Sequence, residues 1–423
     1  MILLWPCRSA EIRWLFRFVV AVVLLWGALP TLSVHAETAI VPTLSVRSWY
    51  DTNVYRRPKQ LLTPGTQAED FVTSVLPVLD LLHKTRDIEA EVKLGGLFTV
   101  YAHNTNRNYV GGTLQGGVNL DHWVDQYVRG ARLRVAENLR YTPEQPSFLQ
   151  GARDLPLDVS LTTGTQGFRA NMLYNVTQVT GGYSASRDLS VEGGYTFTIR
   201  RIGRVQGGLT DLAGTTLYFD TMAHSWFGGP RYHLTRNDSV AVLYKQTFIT
   251  QSQATGGRNF NTNLVALVGD YTKEFQEWRF IAQGGITFAE PVGRAFPSGK
   301  LEVTNRLERD TVVRLALSRE GRPSFFLAGG AMISNLASLG ISHTIYERLT
   351  LDGTVGYAYN EYFPNTDKSL KNFTASSRLS YKLTRDITGQ IFYIFQNIDS
   401  TASSLEFQYS RNQVGFMLSA EWK

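Results

Sequence analysis

The sequence predicts an all-β protein: a single transmembrane antiparallel β-barrel of about 18 strands. Three observations support this prediction. Apolar and polar residues alternate along most of the chain, the alternating segments are about ten residues long, and short polar turns alternate with longer polar connectors. Ten residues are enough for a tilted strand to cross a bilayer, whereas strands of soluble sandwiches are commonly about 5–6 residues long. An alternative of 16 strands stays open if residues 201–234 are less regular than their pattern indicates.

The clearest strand is at the end of the chain, in residues 413–423. One of its faces carries only apolar residues, namely Val414, Phe416, Leu418, Ala420 and Trp422. An apolar stripe that ends in an aromatic residue is typical of the closing strand of an outer-membrane barrel, and it resembles the C-terminal signal that the barrel-assembly machinery recognises. Lys423 follows the aromatic residue and departs from that signal. An ordinary half-buried edge strand is the alternative.

The other end of the chain, residues 1–36, has the features of a secretory signal peptide. Three arginines precede a short apolar core at residues 18–29, and Val34-His35-Ala36 fits a cleavage site. A retained anchor is the alternative, but about twelve apolar residues are short for a span of about 20. Cleavage would leave residues 37–423 as the barrel and would remove the single cysteine, which suits an oxidising compartment.

Net charge excludes one class of partner. The formal charge is +6, and residues 1–36 contribute +2 of it through three arginines and one glutamate, which leaves +4 for the rest. No basic run with interleaved aromatic residues and no nucleic-acid-binding motif is present, so nucleic acid is not an expected partner.

The turns predict the topology. Eight short polar turns lie at residues 84–87, 121–126, 186–188, 235–238, 273–277, 308–310, 346–348 and 384–386. Longer connectors lie at residues 143–164, 201–214, 251–259, 290–298 and 365–369. Outer-membrane barrels have short periplasmic turns and long extracellular loops, so both termini are expected in the periplasm. Eight hairpins, an opening strand at residues 43–55 and the closing strand give about 18 strands.

One segment resembles a known family. The opening strand of the β-barrel porin 2 family is similar to the segment Ser48-Trp49-Tyr50-Asp51-Thr52-Asn53-Val54-Tyr55-Arg56. In that family an acidic residue and a strand with a central proline follow. Here those places are taken by Glu69-Asp70-Phe71-Val72 and by Leu76-Pro77-Val78. The resemblance implies a bacterial outer-membrane barrel, and several members are encoded within exopolysaccharide-production systems. It implies no catalytic residues. Asp51-x-Asn53 could also begin a calcium loop, but the acidic and glycine positions that should follow are missing, which favours a strand end.

Charged residues on the predicted inner faces are candidates for pore lining. The basic candidates are Arg132, Arg134, Arg140, Arg169, Arg279, Arg306, Arg314 and Arg378, and the acidic ones are Glu89, Glu91 and Glu192. Separate basic and acidic stripes would produce a transverse field that tunes the passage of ions and sugars, and we expect a preference for anions. The alternative is that these charges pair across a hydrated interior. Three inner aromatic residues could stack sugars, although an aromatic-rich composition would also place them there by chance: Tyr101, Tyr362 and Phe392.

Taken together, the sequence favours a porin-like channel for passive diffusion of small polar solutes. An exopolysaccharide-export or secretion-associated barrel, with export components as partners, is the runner-up, and a barrel enzyme is third. Ser342 and His343 are adjacent and so point to opposite faces of a strand, and no nucleophile elbow, zinc motif or phosphate loop is present. We therefore expect no catalytic residue, metal site or cofactor. The expected partners are outer-membrane lipid, lipopolysaccharide and the barrel-assembly machinery, and residues 143–164 are the best candidate for a folded-in constriction or a binding loop.

Overall fold

The structure is a computed structural model that describes residues 37–56, 58–62, 65–142, 169–206, 219–253, 259–290, 292–308, 310–323, 331–363, 369–400 and 408–422. It consists of one antiparallel sheet of 18 strands. In chain order these are β1 (Glu37–Asp51), β2 (Asp70–Lys84), β3 (Glu89–Tyr101), β4 (Tyr109–Asn119), β5 (Ala131–Thr142), β6 (Arg169–Ser184), β7 (Leu189–Gln206), β8 (Phe219–His233), β9 (Asp238–Gln253), β10 (Asn259–Phe275), β11 (Trp278–Glu290), β12 (Arg294–Leu307), β13 (Thr311–Pro323), β14 (Ala331–Ile345), β15 (Leu349–Phe363), β16 (Ser369–Lys382), β17 (Ile387–Ser400) and β18 (Tyr409–Glu421). Among the described residues, no helix is long and apolar enough to cross a membrane.

The sheet closes on itself. Each strand pairs with its neighbours in the sequence, and β1 pairs with both β2 and β18. The β1–β18 register runs from Thr43 opposite Glu421 to Asp51 opposite Gln413. Closure leaves no free sheet edge. A sheet in a membrane must be closed, because no water is present there to form hydrogen bonds with the backbone groups of an unpaired strand. The predicted all-β barrel of 18 strands is therefore confirmed, and the 16-strand alternative is not what forms.

The two faces of the sheet differ in chemistry. On β18, Phe416 and Leu418 are 54% and 48% exposed, while Gly415 and Met417, which alternate with them, are half-buried. Residues directly opposite each other in antiparallel strands point to the same side, so Tyr50 and Phe71, which form a row with Val414, share the exposed apolar face. Extending these pairs around the ring assigns an outer face that is mainly apolar and an inner face that carries most of the strand charges. Glu137 is an exception on the outer face, where its carboxylate accepts a hydrogen bond from the side chain of Asn175.

All eight predicted short turns connect the strands where the sequence places them. One of them contains a short helix, α1 (Asp121–Asp125), and the Asn119 side chain accepts a hydrogen bond from the Asp121 N–H at its start. Two short 3-10 helices, Lys59–Leu61 and Thr105–Arg107, lie at the opposite end of the barrel.

The predicted long connector at residues 290–298 is wrong. Strand β11 continues to Glu290 and β12 already begins at Arg294, so only three positions separate the two strands. Gly293 has a φ of +66°, a conformation that glycine adopts without steric cost. Pro297 lies inside β12 opposite Ile286. Proline lacks the N–H that a strand ladder uses, so its presence inside a strand is unusual.

Several other boundaries shift. The opening strand was expected at residues 43–55 but spans Glu37–Asp51, and the closing strand begins at Tyr409 rather than at residue 413. Strand β7 extends to Gln206, into the connector that was expected from residue 201. Residues 143–164, the rest of the 201–214 connector and residues 1–36 lie outside the described part of the chain, so the constriction and the signal peptide stay predictions.

Apolar side chains pack inside the barrel near the long connectors. One cluster contains Trp49, Val54, Val72, Tyr101 and Phe392. A second contains Met332, Tyr362, Leu370, Ile398 and Tyr409. Buried charged residues, among them Asp51 and Arg411, lie at the same end of the barrel as these clusters.

Candidate functional site

A cavity of about 400 Å³ opens on the inner face between β5 and β11. Its charged lining residues are Asp121, Arg132, Arg134, Glu192, Arg231 and Lys245. The structure thus brings together three predicted pore-lining residues, Arg132, Arg134 and Glu192. Arg231 and Lys245 were missed, although extending the alternation of β8 and β9 through these positions would have placed both on the inner face.

Glycines make the wall of this cavity concave. Arg132 lies opposite Gly182, which lies opposite Glu192, which lies opposite Gly229, so charged side chains and glycines alternate along one row of the sheet. In the next row, a Cβ on Gly194 would lie 2.5 Å from Cε1 of Phe227, which shows that the ring covers this glycine. The cavity therefore has charged groups at its sides and an aromatic ring on its wall.

Arg231 is the most heavily paired cation of the cavity. Its Nη2 lies 2.6 Å from Oε1 of Glu192, and its Nη1 lies 2.8 Å from Oδ1 of Asp270. Gln283 extends the network, since its amide donates to Asp270 at 2.8 Å and accepts from the Lys245 ammonium at 3.2 Å. The carboxylates of Glu192 and Asp270 therefore share the guanidinium of Arg231. Lys245, by contrast, contacts the uncharged amide of Gln283.

The two arginines of β5 differ in their pairing. Arg134 donates from Nη2 to Oδ2 of Asp121 at 2.8 Å. Arg132 makes no hydrogen bond or ion pair with any other described residue, and its Nη2 lies 3.6 Å from the position that a Cβ on Gly182 would take. The cavity therefore contains one guanidinium that the described residues do not neutralise.

The other predicted charges mostly pair with a neighbour on their own or an adjacent strand. Arg378 and Asp352 are 2.8 Å apart, and Arg314 lies 3.9 Å from Glu302, which also contacts Lys300 at 3.2 Å. Local pairing of this kind agrees with the alternative interpretation, in which the charges pair with one another and do not form separate basic and acidic stripes. The remaining pairs among the predicted residues are Glu91 with Lys93 at 2.6 Å, Glu89 with Lys84 at 3.8 Å and Arg279 with Glu274 at 3.3 Å.

Three predicted arginines take other positions. Arg140 is 9% exposed and packs into the inner wall, where it has partners. Arg306 is exposed near the short turn that follows β12. The side chain of Arg169, the first residue of β6, lies outside the described part of the structure. Their role in pore lining, like that of the other predicted residues, stays a prediction.

The aromatic candidates do not form rungs on the inner surface. Tyr101, Tyr362 and Phe392 are 4%, 6% and 4% exposed, and each packs inside one of the two apolar clusters. Sugar stacking on these three rings is therefore the wrong interpretation, because their faces are covered.

The segment that carries the family resemblance forms the mouth of the barrel at the end of β1. Asp51 binds Arg411 and Gln413 of β18 and accepts a hydrogen bond from the Asn53 N–H at 3.0 Å. Tyr55 donates to Asn104 at 2.7 Å, and the guanidinium of Arg107 lies 3.6 Å from the centre of its ring. Asp51 and Asn53 thus organise a strand end, as the sequence favoured.

The described histidines mostly contact hydroxyl groups of paired strands. His343 lies 2.7 Å from Thr311 Oγ1, His224 lies 2.7 Å from the Tyr195 hydroxyl, and His83 lies 2.9 Å from Thr38 Oγ1. His103 lies 3.2 Å from Asp70 at the loop end of the barrel. Ser342 and His343 point to opposite faces, as expected from their adjacent positions.

Comparison with known families supports the predicted resemblance. Residues 302–421 match the family described as "Putative beta-barrel porin 2". This segment runs from β12 to β18, so it is separate from the N-terminal motif that suggested the same family. No curated protein matches the chain.

Solved structures with some similarity are outer-membrane proteins. Pseudomonas aeruginosa OccK2 (OpdF) is 10% identical, with 91% of this chain and 97% of that chain covered and a TM-score of 0.45. Pseudomonas aeruginosa OpdK with vanillate is 11% identical, with coverages of 90% and 98% and a TM-score of 0.43. A mutant of the ferric enterobactin receptor PfeA from the same organism is 10% identical, with coverages of 90% and 80% and a TM-score of 0.44. At these values none of them bears on the function of this chain.

Proposed function

We propose that this protein is a porin-like channel of a bacterial outer membrane, through which small polar solutes diffuse passively. The observation that carries the proposal is the closed ring of 18 strands, which has an apolar outer face and a charged inner face. Barrels of 16–18 strands are wide enough to leave an aqueous channel, unlike barrels of about eight strands, which their side chains fill. The family match of residues 302–421 points in the same direction.

The chemistry of the inner face suits hydrated solutes. Paired charges such as Arg378 with Asp352 and Arg231 with Glu192 and Asp270 keep that wall polar without a large excess of one sign. Diffusion along such a wall needs neither a catalytic group nor a cofactor, so we propose a non-enzymatic role.

Location and partners follow from the same proposal. Cleavage after Ala36 would release the barrel into the periplasm, the barrel-assembly machinery would insert it, and the apolar face would contact lipid and lipopolysaccharide. The exopolysaccharide-export role stays a prediction from family resemblance, since none of the described contacts favours it over diffusion.

Conductance tests the proposal. Folded protein purified from outer membranes should give discrete current steps in planar bilayers, and the steps should grow with salt concentration. Heat-denatured protein is the control for detergent effects. Folded protein that gives no steps at any salt concentration would overturn the channel.

Cysteine modification locates the path of the current. The chain after residue 36 contains no cysteine, so a single one can be introduced without background. Thr180 lines the cavity, whereas Val242 is 55% exposed on the outer face. A charged thiol reagent should reduce the current of Thr180→Cys and leave that of Val242→Cys unchanged. An equal response of both variants would contradict a path through the interior.

A further inference from the structure

We infer that the cavity beside Arg132 is a binding site for small organic anions in which a carboxylate is attached to a flat apolar body. The inference rests on the channel function proposed above and deepens it, because it names the class of solute that the inner wall retains. Its starting point is the guanidinium of Arg132, which has no partner among the described residues although it lines a cavity of about 400 Å³.

The charge of the cavity favours an anion. Four cationic side chains line it, Arg132, Arg134, Arg231 and Lys245, against the two carboxylates of Asp121 and Glu192. Both carboxylates are already engaged, by Arg134 at 2.8 Å and by Arg231 at 2.6 Å. The Lys245 ammonium contacts the neutral amide of Gln283 at 3.2 Å. Among the described residues, neither Arg132 nor Lys245 forms an ion pair, but Glu320, Asp270 and Glu192 attract the Lys245 ammonium at longer range. Arg132 is therefore the cation of the lining that is left for an anion.

The geometry of Arg132 suits a carboxylate more than a halide ion. A guanidinium presents several N–H donors in one plane and binds both oxygens of a carboxylate with two parallel hydrogen bonds. Gly182, directly opposite Arg132 on β6, has no side chain, and the guanidinium lies over it, with Nη2 3.6 Å and Nε 3.8 Å from the position that a Cβ would take. A planar anion can therefore approach the guanidinium from the lumen.

The apolar part of the ligand would lie against Phe227. The ring covers Gly194 and lines the same cavity as Arg132. Phe227 lies opposite Lys245 on β9, so a cationic side chain flanks the aromatic wall, and the Arg132 guanidinium lies elsewhere in the lining. A flat ring that carries a carboxylate can stack on Phe227 while its charge contacts a cation. A neutral ring of the same size can stack on Phe227 but has no charge with which to contact the cation.

Benzoate and benzyl alcohol test this site, because they share a ring and differ in charge. Titration calorimetry on the folded, detergent-solubilised barrel should detect benzoate and give at least tenfold weaker binding for benzyl alcohol. Arg132→Gln should weaken benzoate binding about tenfold or more, the size expected when one charge-assisted hydrogen-bond partner is lost. Arg279→Gln, which removes the same charge from the barrel end where Arg279 pairs with the exposed Glu274, is the control and should change binding less than twofold.

The outcomes separate the site from the channel. Equal binding of the two ligands by the wild type, or equal loss in Arg132→Gln and Arg279→Gln, would overturn the site. If the folded protein binds benzoate but conducts no current, the binding site is supported and the channel function is rejected. If it conducts current but does not bind benzoate, only the binding site is rejected. If Arg132→Gln does not fold, Arg132→Lys keeps the charge without the planar fork and should still weaken benzoate binding, whereas unchanged binding would overturn the role of the guanidinium.

Discussion

Asp51 and Arg411 form a buried ion pair across the seam where the first and last strands of the barrel meet. The Nε of Arg411 lies 2.9 Å and 3.0 Å from the two carboxylate oxygens of Asp51, and Nη2 adds a third contact. The Gln413 amide donates to the same carboxylate at 3.0 Å. Asp51 is 1% exposed and Arg411 8%. Closure of the ring therefore depends on a side-chain pair as well as on the backbone ladder between β1 and β18.

Replacing Asp51 by asparagine should destabilise the closed barrel. The buried Arg411 would lose the carboxylate that it binds, and breaking a buried pair on one side costs about 3–5 kcal/mol. The urea concentration at which the protein loses its heat-modifiable gel mobility should fall accordingly. Glu274→Gln breaks a pair whose side chains are 63% and 59% exposed and should leave that concentration nearly unchanged. The double variant Asp51→Asn/Arg411→Gln should recover part of the loss, and equal stability of Asp51→Asn and the wild type would contradict a role of the pair in closure.

The outer face of the closing strand gives a second prediction. Phe416→Asp and Trp422→Asp each place a carboxylate on the exposed apolar face. A charge on the lipid face of a barrel is destabilising, by about 2–4 kcal/mol for Arg or Lys near the bilayer midplane and by less for Asp. Both variants should show less heat-modifiable protein in outer-membrane fractions, with the larger loss for the residue nearer the midplane.

The control for those variants is Met417→Asp. Met417 follows Phe416 but faces inward, opposite Arg47, where a carboxylate would find a cation and water. It should assemble at the wild-type level. Normal assembly of Phe416→Asp and Trp422→Asp would undercut the lipid-facing assignment.

Periodicity explains why most of the fold could be predicted. A period of two is fixed by strand geometry, so the alternation around Phe416 identifies both the strand and its outer face without any tertiary information. Each polar turn marks one hairpin, and the eight turns therefore predict the strand count. The strand boundaries were harder to predict from the sequence, because the strands continue past the bilayer. The connector expected at residues 290–298 contains Gly293, which lies in the turn, and Pro297, which is accommodated inside β12.

The site could be predicted only in part, because pairing depends on register between strands. Alternation placed Arg132, Arg134 and Glu192 on the inner face, but it could not show that Arg231 neutralises Glu192 while Arg132 has no partner among the described residues. The alternation of apolar and polar residues also does not show which inner side chains are buried by packing. Tyr101 and Phe392 have the parity of inner residues, yet they are covered by packing with Trp49.

Arg231→Gln should shift the ion selectivity of the channel toward cations. The substitution removes one positive charge and releases two carboxylates, Glu192 and Asp270, into the inner wall. The reversal potential in a potassium chloride gradient should move toward the potassium equilibrium potential. Arg306→Gln removes the same charge without releasing a paired carboxylate and should give a smaller shift. Equal shifts would mean that only net charge matters and that the network around Arg231 does not.

Gly229 and Gly182 provide a matched test of how closely the inner wall is packed. A Cβ on Gly229 would lie 1.9 Å from the carbonyl oxygen of Val242, a backbone atom that can move only with β9, whereas the nearest atom to a Cβ on Gly182 is 3.4 Å away. Gly229→Ala should therefore lower stability by about 1–3 kcal/mol, the usual cost of forcing extra volume into a packed wall. Gly182→Ala should be tolerated, since 3.4 Å is an ordinary contact. Urea midpoints of the two variants measure the difference, and equal midpoints would contradict the close approach of β8 and β9.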